Sequence, residues 1–147
     1  MLQYDRGRIG ERSAPVINHV DNSEVRKFSE TLGESADIYR DEDSARRAGY
    51  GGLVALPTFS VCLQRNPPPG LVMPKAGVIH GEQEFWYGAP ICAGDRIAVT
   101  TWLDDVRVRE GSRGVMTILT IGAEGQHANG DLAFRSRSVF FVGEGVT

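Results

Sequence analysis

Four segments in the second half of the chain constrain its fold most. Val78–Tyr87, Arg96–Arg109, Val115–Ala123 and Leu132–Val142 are all rich in β-branched and aromatic residues. Turn signals separate them: Ala93-Gly94-Asp95, Glu110-Gly111-Ser112 and Ala128-Asn129-Gly130-Asp131. Such runs, so punctuated, predict four long antiparallel strands. From Arg96 onward, Ile97, Val99, Thr101 and Leu103 share one face, and Val106 and Val108 then take the opposite parity. A bulge near Asp104-Asp105 accounts for the switch, because one extra residue reverses the sides. In the last strand Leu132, Phe134, Phe140 and Val142 share a face, and Arg135 and Arg137 take the other.

The first half reads differently. Ala14–Val20 is a short apolar run, a candidate first strand. Asp21 offers an N-cap with Glu24 three residues on. Val25, Phe28 and Leu32 follow at helical spacing, and Gly33 suits the residue after the helix end. A helix is therefore expected over about Asn22–Leu32. Asp41–Ala48 predicts a second short helix, closed by Gly49. Pro57 suits a helical first turn. Thr58–Arg65 carries Phe59, Val61, Cys62 and Leu63, so the segment is apolar almost all round and predicts a buried helix. Asn66-Pro67-Pro68-Pro69-Gly70 is a loop, since three prolines supply no N–H to a ladder.

Helices segregated from a run of antiparallel strands give an α+β architecture. The 147 residues fit one domain spanning 1–147, long enough to bury a core without disulfides or metals. A sheet of this kind leaves an edge and a face to cover, so a dimer is expected. The net charge of -3 and the absence of a basic stripe argue against nucleic acid. Cys62 and Cys92 form no CxxC and no Cys/His cluster, so they read as small apolar thiols, and no metal site is expected. No apolar stretch approaches the roughly 20 residues that span a bilayer, and Met1–Arg12 is polar, so a cytoplasmic protein is expected.

Gly33-Glu34-Ser35-Ala36-Asp37-Ile38-Tyr39-Arg40-Asp41 resembles the G-D-x-N-P-x-H-x-D signature of (R)-specific enoyl-CoA hydratases. Ala45–Tyr50, Leu53-Val54-Ala55 and Pro57-Thr58-Phe59 continue the likeness. His80–Phe85, Ala89-Pro90, Ala93-Gly94-Asp95 and Phe134–Ser138 resemble the MaoC-like, N-terminal (FAS1-like dehydratase) subgroup. The resemblance runs from about Ile9 to Val142. It implies a hot-dog fold, a curved antiparallel sheet around a central buried helix. It also implies an acyl-CoA or acyl-carrier-protein thioester as ligand and no metal or redox cofactor. In the family an Asp and a His act on one water. Here Glu34 stands for that Asp, Ala36 for the Asn, Asp37 for the Pro and Tyr39 for the His. A tyrosine, ordinarily ionising near pH 10, is a poor base at neutral pH.

The resemblance therefore implies a hot-dog subunit of a hydratase or 3-hydroxyacyl-thioester dehydratase, an enzyme only within a complex. Its role would be the acyl-binding half, paired with a catalytic hot dog; across this reading and its alternatives the assembly is left open as a hot-dog homo- or heterodimer. Three alternatives stand beside it. One is a self-sufficient hydratase using Glu34 with Tyr39 or with His80; the others are a non-catalytic acyl-binding protein and an acyl-CoA thioesterase. The candidate site residues are thus Glu34, Tyr39 and His80 for catalysis. For substrate, Gly51 and Gly52 permit close backbone approach before the buried helix, whose start includes Pro57 and Thr58. Arg113 and Arg135, with Arg46, Arg47 and Arg137, are candidates for CoA phosphates. Trp86, Tyr87 and Trp102 read as core or interface anchors, and His19 and His127 as surface residues.

Overall fold

The computed structural model describes residues 1–111 and 114–143. Its main sheet has five strands, all antiparallel, in the order β2 (Val16–His19), β5 (Arg96–Gly111), β6 (Gly114–His127), β7 (Leu132–Gly143) and β4 (Val78–Tyr87). The predicted α+β class and all four long strands are present. The bulge in β5 is there too: the register with β6 slips between Leu103 and Asp105. Ile97, Val99, Thr101 and Leu103 are buried, and Val106 resumes the buried side after the slip, whereas Val108 is exposed. A second slip lies in β4 between His80 and Glu82. A Cβ on the intervening Gly81 would sit 2.1 Å from the Phe141 ring, so the bulge accommodates an aromatic ring where a side chain would stand. The β6–β7 turn has Gly130 at φ +90°, a conformation that costs glycine little, and Asn129 and Asp131 hydrogen-bond across it.

Helix α1 (Asn22–Thr31) begins where Asp21 accepts a 2.7 Å hydrogen bond from the Ser23 amide. Val25 and Ser29 are its buried positions, and Phe28 meets Phe59 edge-on at 5.6 Å. Leu32, which the spacing placed on the same stripe, is exposed beyond the helix end. Helix α2 (Glu42–Arg47) is capped by Asp41, whose carboxylate accepts from the Ser44 amide at 2.8 Å.

The predicted buried helix is altered. Pro57–Cys62 is a 3-10 turn, and Leu63 leaves it in extended conformation. Residues three apart align in a 3-10 helix, so it buries a narrow face. Phe59 and Ser60 go inward, while Thr58, Val61 and Cys62 are exposed. Leu63 returns to the core, which joins Val20, Val25, Leu53, Phe59, Ile97, Val99 and Phe134.

The N-terminal segment, read as merely polar, is ordered by pairing. β1 (Gln3–Tyr4) pairs with β3 (Leu71–Val72) and closes a second cluster around Leu103, Val106, Leu119 and Val142. Gly10 and Ser13 donate to the carbonyls of Leu103 and Thr101, each at 2.8 Å, covering the edge of β5 beyond β2. Beside β2, Asn18 exchanges hydrogen bonds with Gln64, and Asn66 reaches Ala14, but among the described residues no strand pairs with the outer edge of β2. On the other side of the sheet β4 ends the order, and among the described residues no strand pairs with its free edge.

Candidate functional site

Asp41 fixes the start of α2, and the 3-10 turn Asp37–Tyr39 immediately before it carries Ile38 and Tyr39. The Val54 amide donates to Ile38 O, so this overhanging turn is tied to Leu53–Ala55. Leu53–Ala55 is held in turn by Ala55 N to Ile91 O and Ala93 N to Leu53 O, both 2.8 Å. Ile38, Tyr39 and Tyr50 pack against the buried Ala45, Val54 and Cys92. Between this layer and the ends of β4 and β7 opens a cavity of about 210 Å³. Its walls are Tyr39, Tyr50, Val54–Pro57, Tyr87–Ile91, Ala133 and Phe134. Burial pushes the Tyr87 phenol above its ordinary range. The volume falls short of the roughly 300–1,000 Å³ that encloses a whole drug-sized ligand.

The structure brings Tyr39 and Pro57 to this cavity and places the other candidates among the described residues elsewhere. Glu34 caps its own loop, its Oε1 accepting from the amides of Ser35 at 2.8 Å and Ala36 at 2.9 Å. His80 sits on the far part of β4, exposed, stacked on Phe140 and bonded through Nε2 to Glu82 O. Seven residues of strand separate it from Tyr87, roughly 20 Å at about 3.3 Å per residue. The amides of Gly51 and Gly52 are directed at the Cys92 sulfur, not at the cavity. Burial chiefly, with the Asp95 charge, raises the Cys92 thiol against these two donors. Gly52 is required by space, since a Cβ would lie 2.8 Å from Ala93 O. Thr58 is exposed and does not line the cavity. Arg113 lies outside the described residues. Arg46 and Arg47 pair with Glu42 and Asp41.

Arg135 belongs to the opposite face of the sheet. Its Nη2 bonds Glu124 at 2.6 Å, and Arg12 reaches the same carboxylate at 3.2 Å while its guanidinium lies 4.4 Å from the Trp102 ring centre. Glu124 is buried beneath these two arginines. Burial alone would raise its carboxyl; the hydrogen bond from Arg135 and the charge and hydrogen bond of Arg12 outweigh it and hold the carboxyl below the usual range. A depressed folded-state value stabilises the protein above the unfolded-state pKa, and that stabilisation disappears as pH falls through the folded value. Glu124→Gln is expected to cost about 1–3 kcal/mol at neutral pH and to reduce the loss of stability on acidification below about pH 4. Urea titrations of both proteins at pH 7 and pH 4 measure this; an unchanged midpoint at pH 7 would remove the network from the account.

Sequence reasoning missed two contributors at the cavity rim. His127 is half-buried, and its Nε2 lies 3.2 Å from Ala89 O, on the cavity wall. Its Nδ1 stands 3.6 Å from Asp95, whose carboxylate also accepts from the Cys92 amide. These contacts hold Gly88–Pro90 and the Cys92 turn together. The signal available was Asp95 in the turn Ala93-Gly94-Asp95. Nothing local marked His127 as its neighbour.

Residues 8–135 match the family model described as FAS1-like, dehydratase domain region. The chain belongs to this family. A UPF0336 protein of Saccharopolyspora erythraea is 33% identical over 130 residues, covering 84% of this chain and 81% of that one. The fold is that of the ChsH1-ChsH2 complex from Mycobacterium tuberculosis (TM-score 0.73, 21% identity, 91% and 85% of the two chains). It is also that of the C-terminally truncated HadBC (3R-hydroxyacyl-ACP dehydratase) complex from the same organism (TM-score 0.67, 18% identity, 96% and 94%). MaoC-like dehydratases and (R)-hydratases share it as well, so the chain has the hot-dog fold that the motifs implied. Among its described residues no helix is long and apolar enough to cross a membrane.

Proposed function

We propose that this chain is the acyl-binding half of an (R)-specific enoyl-thioester hydratase or 3-hydroxyacyl-thioester dehydratase, paired with a hot dog that carries the catalytic Asp and His. One observation carries the reading: among the described residues, the only ionisable side chains on the cavity wall are the phenols of Tyr39, Tyr50 and Tyr87. Hydration needs a group that exchanges protons near neutral pH beside the α-carbon and the attacking water. A phenol donates a hydrogen bond at that pH and seldom accepts a proton. Glu34, the other candidate for holding water, is occupied by two backbone amides. Val54, Leu56, Ile91, Ala133 and Phe134 offer an apolar wall suited to an acyl chain. The small volume and the position at the end of the free strand β4 suit half of a tunnel completed by a partner.

Turnover of a trans-2-enoyl-CoA by the isolated chain tests this. Activity at background is expected. Adding a catalytic partner is expected to give hydration that Tyr39→Phe in this chain lowers less than about threefold. Robust activity of the isolated chain, abolished by Tyr39→Phe and by Glu34→Gln, would establish a Glu/Tyr site instead. Activity surviving both but lost in His80→Ala would move the chemistry to the strand, and release of free CoA would mark a thioesterase.

A further inference from the structure

The free edge of β4 carries a charge pattern that the proposed acyl-binding role does not use. Ile79 is 67% exposed, and Trp86 and Tyr87 are each 50% exposed, so a ten-residue strand presents unpaired backbone and apolar side chains together. An edge of this kind invites a further strand. The strand at the opposite end of the order, β2, has four residues against the ten of β4, which makes β4 the longer edge for addition. Tyr87, at the end of β4, also lines the cavity, so whatever docks here abuts the acyl site.

On the outer face of β4, Glu82 and Glu84 stand two residues apart. Both are reached by one cation, Arg137 Nη1, at 3.2 Å and 2.9 Å. In these direct contacts two carboxylates share one guanidinium, so acid outnumbers base at the middle of the edge itself. Consider a second copy added antiparallel about a two-fold axis normal to the sheet. Outer face must then meet outer face, and residue i faces j with i + j constant. Registers centred on Glu82, Gln83 or Glu84 oppose Glu82 to Glu82, Glu82 to Glu84, or Glu84 to Glu84. Directly opposed residues have Cβ atoms about 4.5–5.5 Å apart, and like charges there are destabilising.

We propose that the Glu82/Glu84 pair makes this edge select a different hot-dog chain over a second copy, the favoured partner being one whose matching edge strand presents a lysine or arginine on its outer face. A basic residue opposite the pair completes the charge balance that Arg137 begins, and the same acids disfavour self-pairing. The inference rests on the proposed pairing with a catalytic hot dog, which it deepens by naming the partner's chemistry.

The chain itself supplies the probe. A Glu82→Lys/Glu84→Lys variant mixed in equal amount with wild type at 50 mM salt is expected to give, by native mass spectrometry, a ratio of squared mixed dimer to the product of the two homodimers at least about fivefold above its statistical value. That preference is expected to shrink at 500 mM salt. Glu82→Gln/Glu84→Gln is expected to self-associate about tenfold more tightly than wild type in sedimentation equilibrium. Both positions are exposed, and an unchanged melting transition checks that the variants are folded. A statistical mixture, an absence of mixed dimers, or equal self-association of wild type and the glutamine variant would overturn the proposal. Mixed dimers without any gain of hydratase activity from a catalytic partner would instead count against the function while leaving the edge preference standing.

Discussion

Phe134→Ala is expected to cost about 3–5 kcal/mol, the range for removing a large aromatic from a core. Phe134 is 1% exposed. It faces Gly125 across the β6–β7 ladder, and a Cβ on Gly125 would lie 2.2 Å from its ring, so the ring fills the space the glycine leaves. Its other side lines the cavity. Removal therefore loses contacts in two directions, and the neighbouring glycine has no side chain with which to close the gap. Against the roughly 5–15 kcal/mol total of an ordinary domain, this is about a fifth of the stability or more. Urea unfolding measures it directly. A cost below about 1 kcal/mol would mean that the cavity is not walled by the main core.

The four strands were legible because period-2 alternation and turn residues are local signals, and even the β5 bulge showed as a change of parity. The same alternation already conflicted with assigning Arg135 to the ligand. If Phe134 faces the core, Arg135 faces away, and the structure follows the alternation. Thr58–Arg65 was misread because apolar content in a short window does not reveal which side is covered. The 3-10 turn aligns Ser60 with Leu63 inward and Thr58 with Val61 outward, while Cys62, at the last position of the turn, is exposed although it follows Phe59 by three. β1 and β3 have two residues each and pair across almost seventy positions, which leaves no periodic trace.

The charged part of the candidate site was the least legible. Glu124 reads as a surface residue until Arg12, 112 positions away, and Arg135 are folded over it. Tyr39, which the family motif singles out, lines the cavity, and the turn that carries it with its Asp41 cap is local. The motif did not foresee that Glu34 would turn back onto its own loop, because that depends on where the Ser35 and Ala36 amides point. Spacing suggested close approach at Gly51 and Gly52; Ala93 O comes close to Gly52, whereas a Cβ at Gly51 would meet open space.

Gly88→Ala is expected to separate the role of space from the role of chain entropy at the cavity rim. Where a native conformation suits alanine, Gly→Ala stabilises by about 0.4–1 kcal/mol, by restricting the unfolded chain. Neither Gly51 nor Gly88 has a positive φ, so on that ground alone both substitutions would stabilise. Their surroundings differ. Nothing lies within 4 Å of a Cβ at Gly51, whereas one at Gly88 would be 2.0 Å from Leu132 O. That oxygen is fixed, for it accepts from Ala89 N at 2.8 Å while Gly88 N donates to Ala133 O at 3.0 Å. An added methyl must force the ends of β4 and β7 apart, and overpacking of this kind costs about 1–3 kcal/mol, occasionally more. Gly88→Ala is thus expected to destabilise where Gly51→Ala is neutral or stabilising. Because Gly88–Pro90 and Ala133-Phe134 wall the cavity, it is also expected to weaken binding of a medium-chain acyl-CoA, read by calorimetry, by tenfold or more. Equal stabilities for the two variants would mean that the β4–β7 end is not packed as described, and that the rim of the cavity is free to move.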